Sequence, residues 1–179
     1  RVTSVGSHFL FRDDQETPNW QIALFEFPDT IASGDRNKVL QFEVRPWMTN
    51  REGGFGQGTD NASNNFFYGT KGYMTMTVDG WNTYLGKERT PGPSRKGLGN
   101  VAYASAHALH FIEALRKRDD SIHQGDIQEG HYTCALIHLA NASCRLHRNL
   151  TFDPNQEICP GDQEANDLLT RKYRPPFVL

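Results

Sequence analysis

Asn64-Asn-Phe-Phe-Tyr-Gly-Thr-Lys-Gly-Tyr-Met-Thr-Met-Thr-Val78 decides how the chain is read. Gly69 and Gly72 bracket Thr70-Lys71, and a lysine in a glycine-rich turn can signal a phosphate loop. Such a loop needs the spacing GxxxxGK[ST] and a helix straight after it, whose N-terminus and backbone N–H groups hold the phosphate. Here Lys71 precedes the second glycine. Phe66-Phe-Tyr68 on one side and Tyr73-Met-Thr-Met-Thr77 on the other are aromatic or β-branched with partial alternation. The stretch is expected to be a two-stranded turn. Asp79-Gly80 closes a second turn before Trp81-Asn-Thr-Tyr-Leu85, which makes the region a meander.

Upstream, the chain also reads as strand. Val2 to Phe11 is β-rich, and Arg12 to Asn19 is a polar, turn-rich loop. Trp20, Ile22 and Leu24 share one parity of the next segment. In Lys38 to Trp47, Leu40, Phe42 and Val44 alternate with Gln41, Glu43 and Arg45, one apolar face and one polar. Pro28-Asp29 and Ser33-Gly-Asp35 mark a hairpin connection between these two strands. Met48 to Ser63 is polar, glycine-rich and aperiodic, long for a loop in a compact domain. Its Gly54, Gly56 and Gly58 fail as a dinucleotide fingerprint, because no helix follows them.

Downstream, the pattern turns helical. Gly86 to Gly99, with Pro91-Gly-Pro93, is expected to be a linker or loop. A helix is predicted from Asn100 to about Arg118, with Ala104, Ala108, Phe111, Ile112 and Leu115 on its inner face. Ser121 to Gly125 is a break. Asp126-Ile-Gln-Glu129 has the form of a helix start. That second helix is predicted to run to about Arg148, with Ala135, Leu139, Ala142 and Leu146 buried and His138, Asn141, Arg145 and Arg148 on a polar stripe. Gly161-Asp162 opens a short helix, and Arg174-Pro-Pro176 ends regular structure. Strands first and helices after argue an α+β domain, a mostly antiparallel open sheet with helices on one face. A single domain over residues 1–179 is expected.

Bulk composition narrows the function. The chain carries 19 basic and 21 acidic side chains, for a net charge of -2. The charges are dispersed, which argues against nucleic acid and anionic membrane as partners. No apolar run approaches the length of a membrane helix. The chain opens at Arg1 rather than Met, so it is expected to be processed or trimmed. Cys134, Cys144 and Cys159 lack CxxC spacing and are expected to be buried thiols.

Several stretches together resemble the C-terminal domain of the bacterial Gfo/Idh/MocA oxidoreductases. They are Asn65 to Tyr73, His107 to Arg118, Glu129-Gly-His131 through His138-Leu-Ala-Asn141 to Leu146, Gly161-Asp-Gln-Glu-Ala-Asn166, and Tyr173-Arg-Pro-Pro-Phe-Val-Leu179. They are similar to that family's FYGTxG, HxxNFxxxxRxR, ExGHxxxxxxHLxNxxxRL, GDxEAN and YRxPxxL, in the same order. His110 departs from the pattern, standing where the family often has Asn.

The resemblance implies a two-domain enzyme. An N-terminal Rossmann domain binds NAD(P), and the sheet domain shapes a sugar- or polyol-type pocket and supplies homo-oligomer contacts. The chain lacks the family's Glu-Lys-Pro motif, with its catalytic lysine, and the glycine-rich helix that precedes the sheet. Hydride transfer needs a cofactor held against substrate and a positioned acid or base. The isolated chain is therefore expected to bind no cofactor and to be inactive. The family permits both cytoplasmic and exported enzymes.

Within this frame the candidate substrate-binding residues are Glu43, Arg45, Trp47, His107 and His110. Glu43, Arg45 and Trp47 share one strand face, where an aromatic ring beside charged hydrogen-bonding groups suits a sugar; the alternative for this face is solvent or a homo-oligomer contact. His107 and His110, three apart on a helix, form a polar face toward the sheet rim or pocket. They could start a metal site, but no clear third ligand is visible. His131 and His138 lie too far apart along their helix to share an ion. No catalytic or metal residue is expected. The alternative is a free-standing, non-catalytic module that binds a carbohydrate or a partner protein.

Overall fold

The computed structural model describes residues 1–9, 11, 14–28, 38–45, 65–77, 79–97, 100–122, 125–171 and 173–177. The chain divides into two compact units, Arg1–Trp47 with Gln128–Leu179, and Met48–Ile127. Among the described residues seven strands precede three α-helices, and the strands form two antiparallel sheets of three and four strands. The α+β class and the antiparallel pairing are as the sequence implied.

The first unit holds β1 (Val2–Ser7), β2 (Trp20–Phe27) and β3 (Lys38–Val44), paired in that order. The register places Val2 and Ser4 of β1 beside Phe25 and Ala23 of β2, and these beside Leu40 and Phe42 of β3. This face meets α2 (Ile127–Leu146) and α3 (Gln163–Leu169) in a core of Val2, Ala23, Phe25, Leu139, Ala140, Ala142, Leu150, Cys159 and Ala165. The period of 2 in the strands and the small side chains of α2 explain the fit, since Ala140, Ala142 and Ser143 let the helix approach closely.

The outer edge of β1 would expose unpaired backbone groups. The C-terminal end of α2 and the segment after it cover this edge. Val2 and Leu150 exchange both backbone hydrogen bonds at 2.9 Å. Ser4 N–H donates to Ser143 Oγ at 3.0 Å, and that hydroxyl donates to the Arg148 carbonyl at 2.8 Å. Cys144 Sγ lies 3.8 Å from the Gly6 carbonyl. Gln21 Nε2 donates to Ser4 Oγ at 2.8 Å, so the polar groups inside this seam satisfy one another. The opposite edge strand, β3, is exposed along its whole length.

The second unit holds β4 (Asn65–Gly69), β5 (Gly72–Thr77), β6 (Gly80–Leu85), β7 (Thr90–Lys96), α1 (Asn100–Lys117) and a 3-10 turn at Asp120–Ile122. The sheet is a meander in chain order. Gly69 pairs with Gly72 across Thr70-Lys71, so the opening stretch is a tight hairpin, not a phosphate loop.

Three expectations are corrected. The segment from Gly86 to Gly99 is not a linker, because Thr90–Lys96 forms β7. Pro91 and Pro93 are tolerated there because β7 is an edge strand, where a missing N–H breaks no ladder on the open side. The apolar face expected to be buried on α1 is open: Ala104, Ala108, Phe111, Ile112 and Leu115 are all exposed, and Ala114 is buried instead. Cys134 is exposed, since it falls off the buried stripe of α2, while Cys144 and Cys159 are buried as expected. Burial pushes both of their thiols above the ordinary cysteine range.

Candidate functional site

Glu43 and Arg45 lie in the first unit, at the end of β3. Glu43 pairs with Ile22 in register, on the sheet face that also carries Val5 and Leu24, away from α2. The Arg45 Nε sits 2.8 Å from Glu43 Oε1. The two charges therefore meet each other first, and a ligand here would find a preformed ion pair rather than two free groups. Trp47 lies outside the described residues, as does the glycine-rich segment 48–63.

His107 and His110 lie in the second unit, on α1. His107 is exposed and His110 is partly buried. Among the described residues, no three His, Cys, Asp or Glu side chains are grouped as a metal site.

Sequence reasoning missed a charged cluster in the first unit. Arg148 donates through both terminal nitrogens to Asp162, with one contact at 2.8 Å, and reaches Glu164 at 3.1 Å. Asp162 is also the N-cap of α3, its carboxylate accepting the Ala165 N–H at 3.1 Å. Asn166 brackets Cys159, accepting its N–H at 2.7 Å and donating to its carbonyl at 3.0 Å. The Gly161-Asp-Gln-Glu-Ala-Asn166 motif thus has a structural reading. Its acids fork an arginine and start a helix, and its amide closes the loop before it. His131 Nε2 lies 2.7 Å from Glu157 Oε1, and Arg145 lies 3.4 Å from Glu16. Partners 14 or more residues apart leave no local spacing signal.

The fork sets a pH dependence. Hydrogen bonds from Arg148, then from the Ala165 N–H, lower the Asp162 carboxyl from its ordinary 3.8 to about 2. A depressed folded pKa stabilises above the unfolded value and is lost as pH falls through the folded one. Stability should therefore decline between about pH 4 and about pH 2. Asp162→Asn, which keeps a capping oxygen, should flatten that limb in urea unfolding followed against pH.

The described residues do not suit a dinucleotide. Gly97-Leu-Gly-Asn-Val-Ala102, which starts after β7 and ends inside α1, has the GxGxxA spacing. A pyrophosphate cradle needs that spacing inside a parallel βαβ unit. Here β7 is the edge of an antiparallel sheet, and among the described residues no strand follows α1.

Against known families, residues 86–179, just over half of the chain, match the model described as "Oxidoreductase family, C-terminal alpha/beta domain". No curated protein matches the chain, and no solved structure matches it.

Proposed function

The chain belongs to the Gfo/Idh/MocA oxidoreductase family through its C-terminal alpha/beta domain, and from that premise we propose that it binds substrate and mediates assembly for an NAD(P)-dependent sugar or polyol dehydrogenase. The match over both long helices and the tail carries this reading. In the proposal the nucleotide sits on a separate N-terminal Rossmann domain, which supplies hydride chemistry, and the present chain orients the substrate. Glu43 and Arg45 are its candidate substrate contacts in the first unit, and His107 and His110 are separate candidates on α1 of the second. Glu43 would hold the Arg45 guanidinium in place beside the substrate.

Exposed apolar side chains on the sheet face that carries Glu43 support a homo-oligomer, whose contact would border the Glu43–Arg45 pair. Val5, Leu24 and Val39 share that face and are 60%, 42% and 63% exposed. Leu24→Lys should lower the mass of the particle measured by light scattering. An unchanged mass would remove this face from the assembly.

The direct test begins with an immunoblot of source cells for the native gene product. A band more than twice the mass of this 20.3 kDa chain supports the dehydrogenase reading, and a band at that mass counts against it. NADH titrated into the chain alone by calorimetry should give no heat of binding, and tight binding would contradict the proposal. In the intact enzyme, Arg45→Ala should raise KM about tenfold and leave kcat within about twofold, the pattern of lost ground-state and transition-state binding in equal measure. An equal loss in kcat and kcat/KM would place Arg45 in the chemical step instead.

A further inference from the structure

The second unit's sheet carries a row of aromatic rings. Tyr68, Tyr73 and Tyr84 are direct neighbours across β4, β5 and β6, and Pro91 of β7 ends the row. The Tyr68 and Tyr73 centroids lie 6.1 Å apart, and those of Tyr73 and Tyr84 lie 5.0 Å apart with planes 21° from parallel. Phe66, two residues before Tyr68 on the same face, holds its ring 12° from parallel to Tyr68 with centroids 6.2 Å apart. Tyr68 stands on the edge strand and is 80% exposed.

The row lies one residue short of the sheet end where two turns meet. The Gly86 N–H donates to the Lys71 carbonyl at 2.9 Å, tying the β4–β5 turn to the β6–β7 turn. Lys71, Lys87 and Arg89 are exposed in these turns, with Glu88 as the one acid among them. The end of the sheet is therefore cationic, with aromatic rings directly behind it.

We propose that this face binds an acidic saccharide, with Phe66 and Tyr68 stacking on the apolar faces of its sugar rings and Lys71, Lys87 and Arg89 pairing with its carboxylates. Two near-parallel rings separated by about the length of one sugar residue suit successive units of a chain, and aromatic faces take up pyranose C–H groups well. Thr75, Asn82 and Ser94 stand beside Phe66 in register and supply hydroxyl and amide partners. A second copy of the chain would be a poor occupant, because burying these polar groups without partners is costly. A single-stranded nucleic acid would call for cations along the whole track. Here three of them gather at one end, with Lys96 on this face at the other, in a chain whose net charge is -2. The surface uses none of Glu43, Arg45, His107 and His110, and its binding is read without turnover, so it stands or falls independently of the dehydrogenase reading.

The test titrates the full chain with hexagalacturonate by calorimetry. Expected is saturable binding, weakened about tenfold by Tyr68→Ala and about tenfold by the Lys71→Ala/Lys87→Ala pair, and retained by Tyr68→Trp. Neutral maltohexaose should bind at least about tenfold more weakly. Lys71 and Lys87 are exposed in turns, so the pair keeps the test decisive if Tyr68→Ala disturbs the strand. Absence of hexagalacturonate binding, unchanged affinity in both the tyrosine and lysine variants, equal binding of polyglutamate, or tighter binding of a single-stranded oligonucleotide would each overturn the proposal.

Discussion

Leu150→Ala should destabilise the first unit by about 3–4 kcal/mol and lower its melting temperature by roughly 20 °C. Leu150 is 1% exposed and sits in the cluster that joins Val2, Ala23 and Phe25 to Leu139 and Ala142. Truncation removes buried methyl groups and leaves a cavity that two sheet residues and a helix cannot collapse into without moving the seam. Its backbone exchanges two hydrogen bonds with Val2, so the hole lies directly against the ladder that closes the sheet edge. Leu150→Met, which keeps the volume, should cost less than about 1.5 kcal/mol. Thermal unfolding of the two variants side by side reads the difference. Equal melting points would mean that the seam, not the cluster, holds this part of the chain.

Gly72→Ala should destabilise the second unit by about 2–4 kcal/mol, with Gly69→Ala as the contrasting case. Gly72 has φ +153°, which a side chain rarely adopts, and a Cβ there would lie 2.1 Å from the Tyr84 carbonyl oxygen. That oxygen belongs to the neighbouring strand, so relief requires β5 and β6 to part. A Cβ on Gly69 would meet the Gly72 carbonyl at 3.6 Å, an ordinary contact. The hairpin therefore needs its second glycine far more than its first. Near-UV circular dichroism in urea follows the Tyr73–Tyr84 stack and reads this unit. Equal midpoints for the two variants would overturn the argument.

Much of the architecture was legible because the rules that wrote it are local. The alternation of Leu40, Phe42 and Val44 gave β3, and the aromatic flanks of Gly69 and Gly72 gave the hairpin. Two readings failed where position in the sheet outweighed composition. Pro91 and Pro93 argue against a strand in general but are compatible with an edge. The spacing of Phe111, Ile112 and Leu115 announces an amphipathic helix without saying what covers it, and these side chains remain exposed. Long-range partners were the least visible. Nothing near Ser143 in the sequence points to Ser4, and nothing near Arg148 points to Asp162. For the candidate site, the strand pattern placed Glu43 and Arg45 on a common face but could not show that they would pair with each other.

The first unit is written in two pieces, with Met48–Ile127 between them. During synthesis, β1 to β3 leave the ribosome long before α2 exists to cover them. At about 5–20 residues per second, the intervening 80 or so residues take roughly 4–16 s to make. For that interval the nascent chain carries the apolar faces of Val2, Phe25 and Leu40 with no helix to pack on, and an open edge at β1. Such a chain is a natural client for a chaperone that holds extended apolar strands, and its yield should depend on elongation speed through residues 48–127.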